Sequence, residues 1–584
     1  MIDLKGRPFY LDEEAASWVE STLSSMTLEE KCGQVFCPMG FNNSPEFLNH
    51  LIKDIKVGAM MYRPSFAADI QATHRTIQGM AKIPLLLAAN TECGGNGLAF
   101  EGTTFGQPMA VAATGDAEDA YRMGKVACSE GAALGLNWAF APIVDIDMDF
   151  HNPITNTRTF GSDVQRVIDC GSAYMRAADE CNVAVAIKHF PGDGVDERDQ
   201  HILTSVNSLD CDKWDETYGK VYGTLIGRNA KTVMVGHIAQ PAYVKHYNPE
   251  ATAEECLRPA SLSKELITGL LRGKLGFNGL VSTDATPMVG FTAAMPRVKA
   301  IPTAIASGVD MILFNKSIDE DFGYLMAGIR DGILSEDRLN EAVTRILATK
   351  ASLGLHKDVR VPGPEALPTV GCAQHRAWAA EVADKSVTLV KDTQNLLPIS
   401  PKKYPRVYLS IIQKNIVSDD PVAAAWKELF EKEGFQVTVR DRTTSIGITD
   451  LMDPDSMSDV KKKLMHEMYR SVEEMKQDYD LYVYIANMEN ASNNTTLRLN
   501  WNVAFGLGDD APWLASEIPV MMISTAYPYH IFDAPMIPTF INAYSGAPDF
   551  CAAVMEKIMG RSEFKGVSPV DPFCGKEYLR MGAK

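Results

Sequence analysis

Seven short apolar runs punctuate the first half of the chain, at residues 57–61, 85–89, 138–142, 183–187, 233–235, 280–282 and 311–314. Each has the length of a strand buried on both faces, where hydrophobicity is continuous rather than alternating. Between the runs lie longer amphipathic stretches with helix-start signals. Thr27-Leu28-Glu29-Glu30 has the spacing of a capping box. Asp116 precedes an Ala-rich stretch that continues to Gly131, and Ser335-Glu336-Asp337-Arg338 opens a helix towards Leu353. This alternation predicts an α/β fold, a (β/α)8 TIM-type barrel, over residues 1–355.

Residues 356–372 carry several prolines and glycines without periodicity and read as a linker. Further on, 387–391, 407–412, 481–486 and 520–524 read as strands, with helical stretches at 373–385, 421–434 and 459–476. They predict a second, smaller α/β sandwich domain over 373–584, with an open sheet covered by helices. Two domains suit a chain of 584 residues, too long for one ordinary core.

A formal net charge of −18 argues against nucleic acid and anionic membrane as main partners. The opening MIDLKGRPFYLDEEAASWVE is charged and aromatic, unlike a signal peptide, and no apolar run is long enough to span a bilayer. A cytoplasmic protein is expected. The 11 cysteines are scattered, without CxxC spacing, and HExxH is missing. Reduced thiols are expected, with no metal site and no cofactor.

In a (β/α)8 barrel the chemistry sits at the C-terminal ends of the strands. Here polar residues follow the apolar runs repeatedly: Asn90-Thr91-Glu92, Asp145, Lys188-His189, His237, Thr283-Asp284 and Asn315. One alone could be a satisfied loop polar; six converging on one mouth would build a polar pocket. The sharpest segment is Lys188-His189-Phe190-Pro191-Gly192-Asp193-Gly194, followed by Asp199-Gln200-His201. A carboxylate two residues from an imidazole can fix its tautomer and raise its proton affinity, so that it donates a proton and later takes one back.

That segment strongly resembles the signature of glycoside hydrolase family 3, in its β-N-acetylglucosaminidase branch. Further segments are similar to the same family in order: 26–34, Gly135 to Asp145, Arg158-Thr159-Phe160-Gly161, Arg258 to Ser263 and Gly276 to Ala285. The resemblance covers roughly residues 20–400 and weakens beyond. It implies a retaining exo-glycosidase that releases terminal β-linked N-acetylhexosamine. Asp284 would be the nucleophile, and His201 the acid and then the base, oriented by Asp199. Lys188, Arg158 and His189 would hold the sugar, with the strand-end residues Glu92 and His237 completing the pocket. Asn90 stands where the branch has an Asp that grips distal hydroxyls, and Asp193 where it commonly has a second His. Both departures bear on which sugar is bound more than on the reaction.

In other branches of the family a carboxylate from the second domain supplies the acid. Glu489 is therefore a rival donor, and the polar loop after it adds Arg498 and Trp501, although packing suits Trp501 equally. The substrate is expected to be a small oligosaccharide or glycoside, and the chain allows a homodimer. Two alternatives stay in the enzyme class: a β-glucosidase, or a phosphorylase releasing sugar 1-phosphate, since neutral imidazole repels an anionic acceptor less than a carboxylate would. A non-catalytic sugar-binding protein on the same fold is a further alternative. Against it stands the retention of both a nucleophile and an acid.

Overall fold

Pro38 has no N–H to give to a ladder, and it breaks the first barrel strand in two. The halves are β1 (Phe36–Cys37) and β2 (Met39–Gly40). They start a parallel sheet with β3 (Ala59–Tyr62), β4 (Leu86–Ala89), β5 (Trp138–Ala139) and β6 (Ala184–Phe190). The short β7 (Ser205–Val206) pairs with β9 (Ile238–Ala239) outside this sheet. β8 (Thr232–Val235), β10 (Leu280–Ala285) and β11 (Met311–Leu313) complete it. The strand order is β1-β11-β10-β8-β6-β5-β4-β3-β2. β1 pairs with β11 and β2 with β3, so the ends of this nine-stranded sheet meet at Pro38 and the barrel is nearly closed.

The structure is a computed structural model. It describes all residues except 1, 360, 416, 444, 445, 447, 490, 491, 502–510 and 584. The chain divides into two compact units. The first comprises Met1–Pro108, Asp116–Ala379 and Ser492–Thr495, and the second Met109–Gly115, Ala380–Ala491 and Thr496–Lys584.

In the first unit every residue of β3, β4, β6 and β8 is buried, which is why these strands read as unbroken apolar runs. The expected helix starts form. Thr27 Oγ1 accepts the Glu30 N–H and the Glu30 carboxylate accepts the Thr27 N–H. Asp116 caps Ala117–Ala133 and Ser335 caps Glu336–Ser352. Each such cap is worth about 1 kcal/mol. The run at 138–142 forms only a two-residue strand, since Pro142 cannot donate; beyond it, contact with β6 continues through the Ala186 N–H bond to Ala141 O and the Ile143–Lys188 bridge. Residues expected as a linker pack with this unit instead. Gln71 donates to Gly363 O, Arg75 to Pro362 O, and the Gly371 N–H to Glu130.

The second unit is built on one mixed sheet. Its strands are β12 (Thr388–Asp392), β13 (Arg406–Ile412), β14 (Gln436–Val439), β15 (Leu481–Ala486), β16 (Val520–Ser524) and β17 (Thr539–Asn542). The order is β12-β17-β16-β15-β13-β14, and only the β12–β17 pair is antiparallel. Tyr482, Tyr484, Met522 and Phe540 centre a cluster on this sheet. Among the described residues no helix is long and apolar enough to cross a membrane.

Candidate active site

Two of the long barrel strands lose register where their sequences change from apolar to polar. β6 does so against β8 between Ile187 and Phe190, at Lys188 and His189. β10 does so against β11 between Ser282 and Ala285, at Thr283 and Asp284. Such irregularities bend a strand and re-aim its side chains.

Glu92, past the end of β4, receives two of the cations. Arg158 donates to both of its oxygens, at 3.1 and 2.9 Å, and Lys188 Nζ lies 2.6 Å from Oε1. Burial alone would raise the Glu92 pKa, but the charges of Arg158 and Lys188 outweigh it and hold the carboxyl far below the usual range. One anion thus fixes both cations. Asn90, beside them in sequence, is exposed.

His189 lies between two carboxylates. Its Nδ1 is 2.7 Å from Asp145 Oδ2, and its Nε2 is 3.8 Å from Asp284 Oδ2. Asp145 Oδ1 also accepts the N–H groups of His189 and Asp193. Burial pushes Asp284 up, but the neighbouring imidazoles, His189 first, and the Ala285 N–H outweigh it, and its pKa lies below the ordinary value. The carboxylate is therefore an anion at neutral pH. The Ala285 N–H binds its Oδ1 at 2.7 Å.

After β6 the chain turns through Pro191-Gly192-Asp193-Gly194. Gly192 and Gly194 hold φ of 118° and 102°; a Cβ on Gly194 would lie 2.0 Å from Ile146 O. The loop then presents Asp199 and His201. Asp199 Oδ1 accepts His201 Nδ1 at 2.6 Å and the His201 N–H at 2.9 Å, which leaves Nε2 as the outward atom of the pair. The loop is tied to the ends of β8 and β10: the Val289 N–H donates to His201 O, and the His237 N–H to Gln200 Oε1. Asp284 and His201 therefore stand at one barrel mouth.

Two residues expected to touch sugar are engaged otherwise. His237 is wholly buried, its Nε2 on Ala285 O at 3.0 Å and its Nδ1 on Ser261 Oγ at 2.9 Å. The carbonyl must accept, so Nε2 carries the proton and Ser261 donates to Nδ1. Burial lowers the His237 pKa to about 4, and the neutral ring props the Asp284–Ala285 backbone. Asp193 is also buried, accepting the Gly194 N–H at 2.7 Å, Asn152 Nδ2 at 3.2 Å and Gln200 Nε2 at 3.2 Å. It braces the loop.

Of the residues expected from the second domain, Arg498 is paired with Asp533 and lies 4.4 Å from the Phe532 ring, and Trp501 packs on the sheet cluster beside Tyr484. Both are engaged within the second unit. Glu489 is exposed just past β15; Asn490 and Ala491 of that loop lie outside the described residues. Asn152, Gln200 and Ser261 complete the constellation with Asp145, and these three were missing from the expected set. Asp145 was marked by its place after a strand-like run, and Gln200 and Ser261 lay inside segments similar to the family; Asn152 carried no signal. Among the described residues no group of His, Cys, Asp and Glu could hold a metal ion, and none of the 11 cysteines is in a disulfide.

The sequence model of the glycosyl hydrolase family 3 N-terminal domain matches residues 27–349. A beta-N-acetylglucosaminidase/beta-glucosidase of Cellulomonas fimi is 42% identical over 581 residues, 99% of each chain. The solved structure of beta-glucoside phosphorylase BglX bound to 2FGlc is 43% identical, with a TM-score of 0.90 over 98% of this chain and 99% of that one. A family 3 beta-N-acetylglucosaminidase from Paenibacillus shares the fold, at 23% identity and a TM-score of 0.75 over 94% of this chain and 99% of that one.

Proposed function

As the chain belongs to glycoside hydrolase family 3, we propose that it cleaves terminal β-glucosides with retention of configuration and transfers the glucosyl unit from Asp284 to phosphate. The observation that carries this reading is the pairing at one mouth of an ionised Asp284 with the His201–Asp199 dyad. Asp284 attacks the anomeric carbon and the glycosidic C–O bond breaks. The leaving oxygen takes a proton from His201 Nε2, and an α-linked glycosyl ester remains.

The imidazole is then neutral. An acceptor attacks the anomeric carbon from the opposite face, gives its proton to Nε2, and Asp284 departs. A spent carboxylic acid would be an anion at this point and would repel phosphate; a spent imidazolium is not. Similarity over nearly the whole chain to a beta-glucoside phosphorylase supports this choice of acceptor. Two inversions give a sugar 1-phosphate of β configuration.

N-acetylglucosaminides form a second substrate class in this reading, supported by the Cellulomonas fimi relative whose name joins both activities. The test assays aryl β-glucoside and aryl β-N-acetylglucosaminide with and without phosphate, identifying products by ³¹P NMR. Phosphate-accelerated turnover of the glucoside to β-glucose 1-phosphate is expected. Turnover indifferent to phosphate, yielding only free sugar, would make the enzyme a hydrolase; cleavage of neither substrate would refute the assignment.

A further inference from the structure

Both hydrogen bonds from His201 fall on one oxygen of Asp199, Oδ1. Turning the carboxylate about Cβ–Cγ would swing Oδ1 off this pair of donors, and a partner on the second oxygen adds to the resistance. A third bond falls on the other oxygen: the backbone N–H of Asn493 donates to Oδ2 at 2.7 Å. The Asp199 side chain is fully buried, so losing that donor would strand a charged oxygen at a cost well above that of an exposed one. The donor comes from Ser492–Thr495, which clusters with the first unit although the chain on either side of it belongs to the second. Asn493 has φ 67°, a conformation open to Asn and Gly and closed to Pro.

We propose that Asn493 is a positioning residue for the acid–base step. Its N–H fixes the plane of the Asp199 carboxylate, keeps Oδ1 on His201 Nδ1, and so keeps Nε2 aimed at the leaving oxygen. This assignment rests on the reading of His201 as proton donor. It concerns only steps that need a proton, because a leaving group that departs as a stable anion does not use the dyad.

The experiment compares kcat/KM, which reports the first chemical step, for an alkyl β-glucoside and a dinitrophenyl β-glucoside. It uses the full chain and its Asn493→Pro, Asn493→Gly and His201→Ala variants. Proline removes the N–H; a loss of at least roughly 10-fold is expected on the alkyl glucoside, with the dinitrophenyl glucoside within about 3-fold of the parent. Glycine keeps the N–H and access to positive φ, and rescues the alkyl reaction. A folded proline variant that loses neither activity, or both equally, overturns the assignment. If the proline variant fails to fold, Asn493→Val, which keeps the N–H but disfavours positive φ, is judged by the same criterion. Leaving-group selectivity in His201→Ala without it at position 493 overturns only the role of Asn493. No selectivity in His201→Ala overturns the donor reading with it.

Discussion

His189 Nδ1 lies 2.7 Å from Asp145 Oδ2, and this hydrogen bond turns the other ring nitrogen towards Asp284. The same carboxylate takes the backbone N–H groups of His189 and Asp193, so one side chain orients both an imidazole and the start of the loop that bears His201. Replacing Asp145 by Asn keeps the volume but puts an N–H₂ where an acceptor is needed. Loss of such an orienting partner costs roughly 10- to 100-fold. Steady-state kinetics of Asp145→Asn should show that loss in kcat/KM on every substrate, including the dinitrophenyl glucoside. Unchanged kinetics would remove Asp145 from the site.

Glu92 predicts a stability effect. Its carboxylate is the shared partner of Arg158 and Lys188, and Lys188 is almost fully buried. Glu92→Gln leaves two cations without that anion, and breaking a buried pair costs about 3–5 kcal/mol. The sign with pH follows from the depressed pKa. The stabilisation is complete above the unfolded value of about 4.3 and is lost as pH falls towards the lower folded value. Chemical denaturation should therefore show a large gap between parent and variant at pH 7, closing in acid. A gap that widened on acidification would contradict this.

Much of this was legible in the chain, and the reason is geometrical. A buried parallel strand is a continuous apolar run, so β4, β6, β8 and β11 show themselves. The residue ending such a run faces the barrel mouth, which marked Glu92, Lys188, His189 and Asp284. The two halves β1 and β2 were hidden because each is two residues long and Pro38 stands between them. β14 was hidden because its residues alternate between exposed and half-buried, without an apolar run. The roles of His237 and Asp193 were hidden for another reason. Whether a polar side chain faces substrate or scaffold depends on distant partners. Ser261 meets His237 and Asn152 meets Asp193 only after the strands have closed into a ring.

Asp193 yields a prediction of opposite sign to Glu92. Burial first, and then the negative charge of Asp145, raise its pKa. An acid whose folded pKa is raised contributes most at pH below its unfolded value of about 3.9, and that contribution declines as pH climbs to the folded value. Asp193→Asn removes the penalty for ionisation while retaining an acceptor for the Gly194 N–H. Thermal unfolding should show the variant gaining on the parent as pH rises from 4 towards 8, by roughly 1 kcal/mol for each unit of raised pKa. A difference independent of pH would mean that the carboxyl does not titrate in the folded loop.

The central claim is that Asp284 forms the bond to sugar, and mass spectrometry of a trapped intermediate tests it most directly. A 2-deoxy-2-fluoro-β-glucoside with an activated leaving group slows breakdown of the glycosyl ester more than its formation. After incubation and proteolysis, the sugar mass should appear on the peptide containing Asp284, should be absent in Asp284→Asn, and should be released when phosphate is added. A label on any other carboxylate, or full turnover of the reagent by Asp284→Asn, would contradict the account.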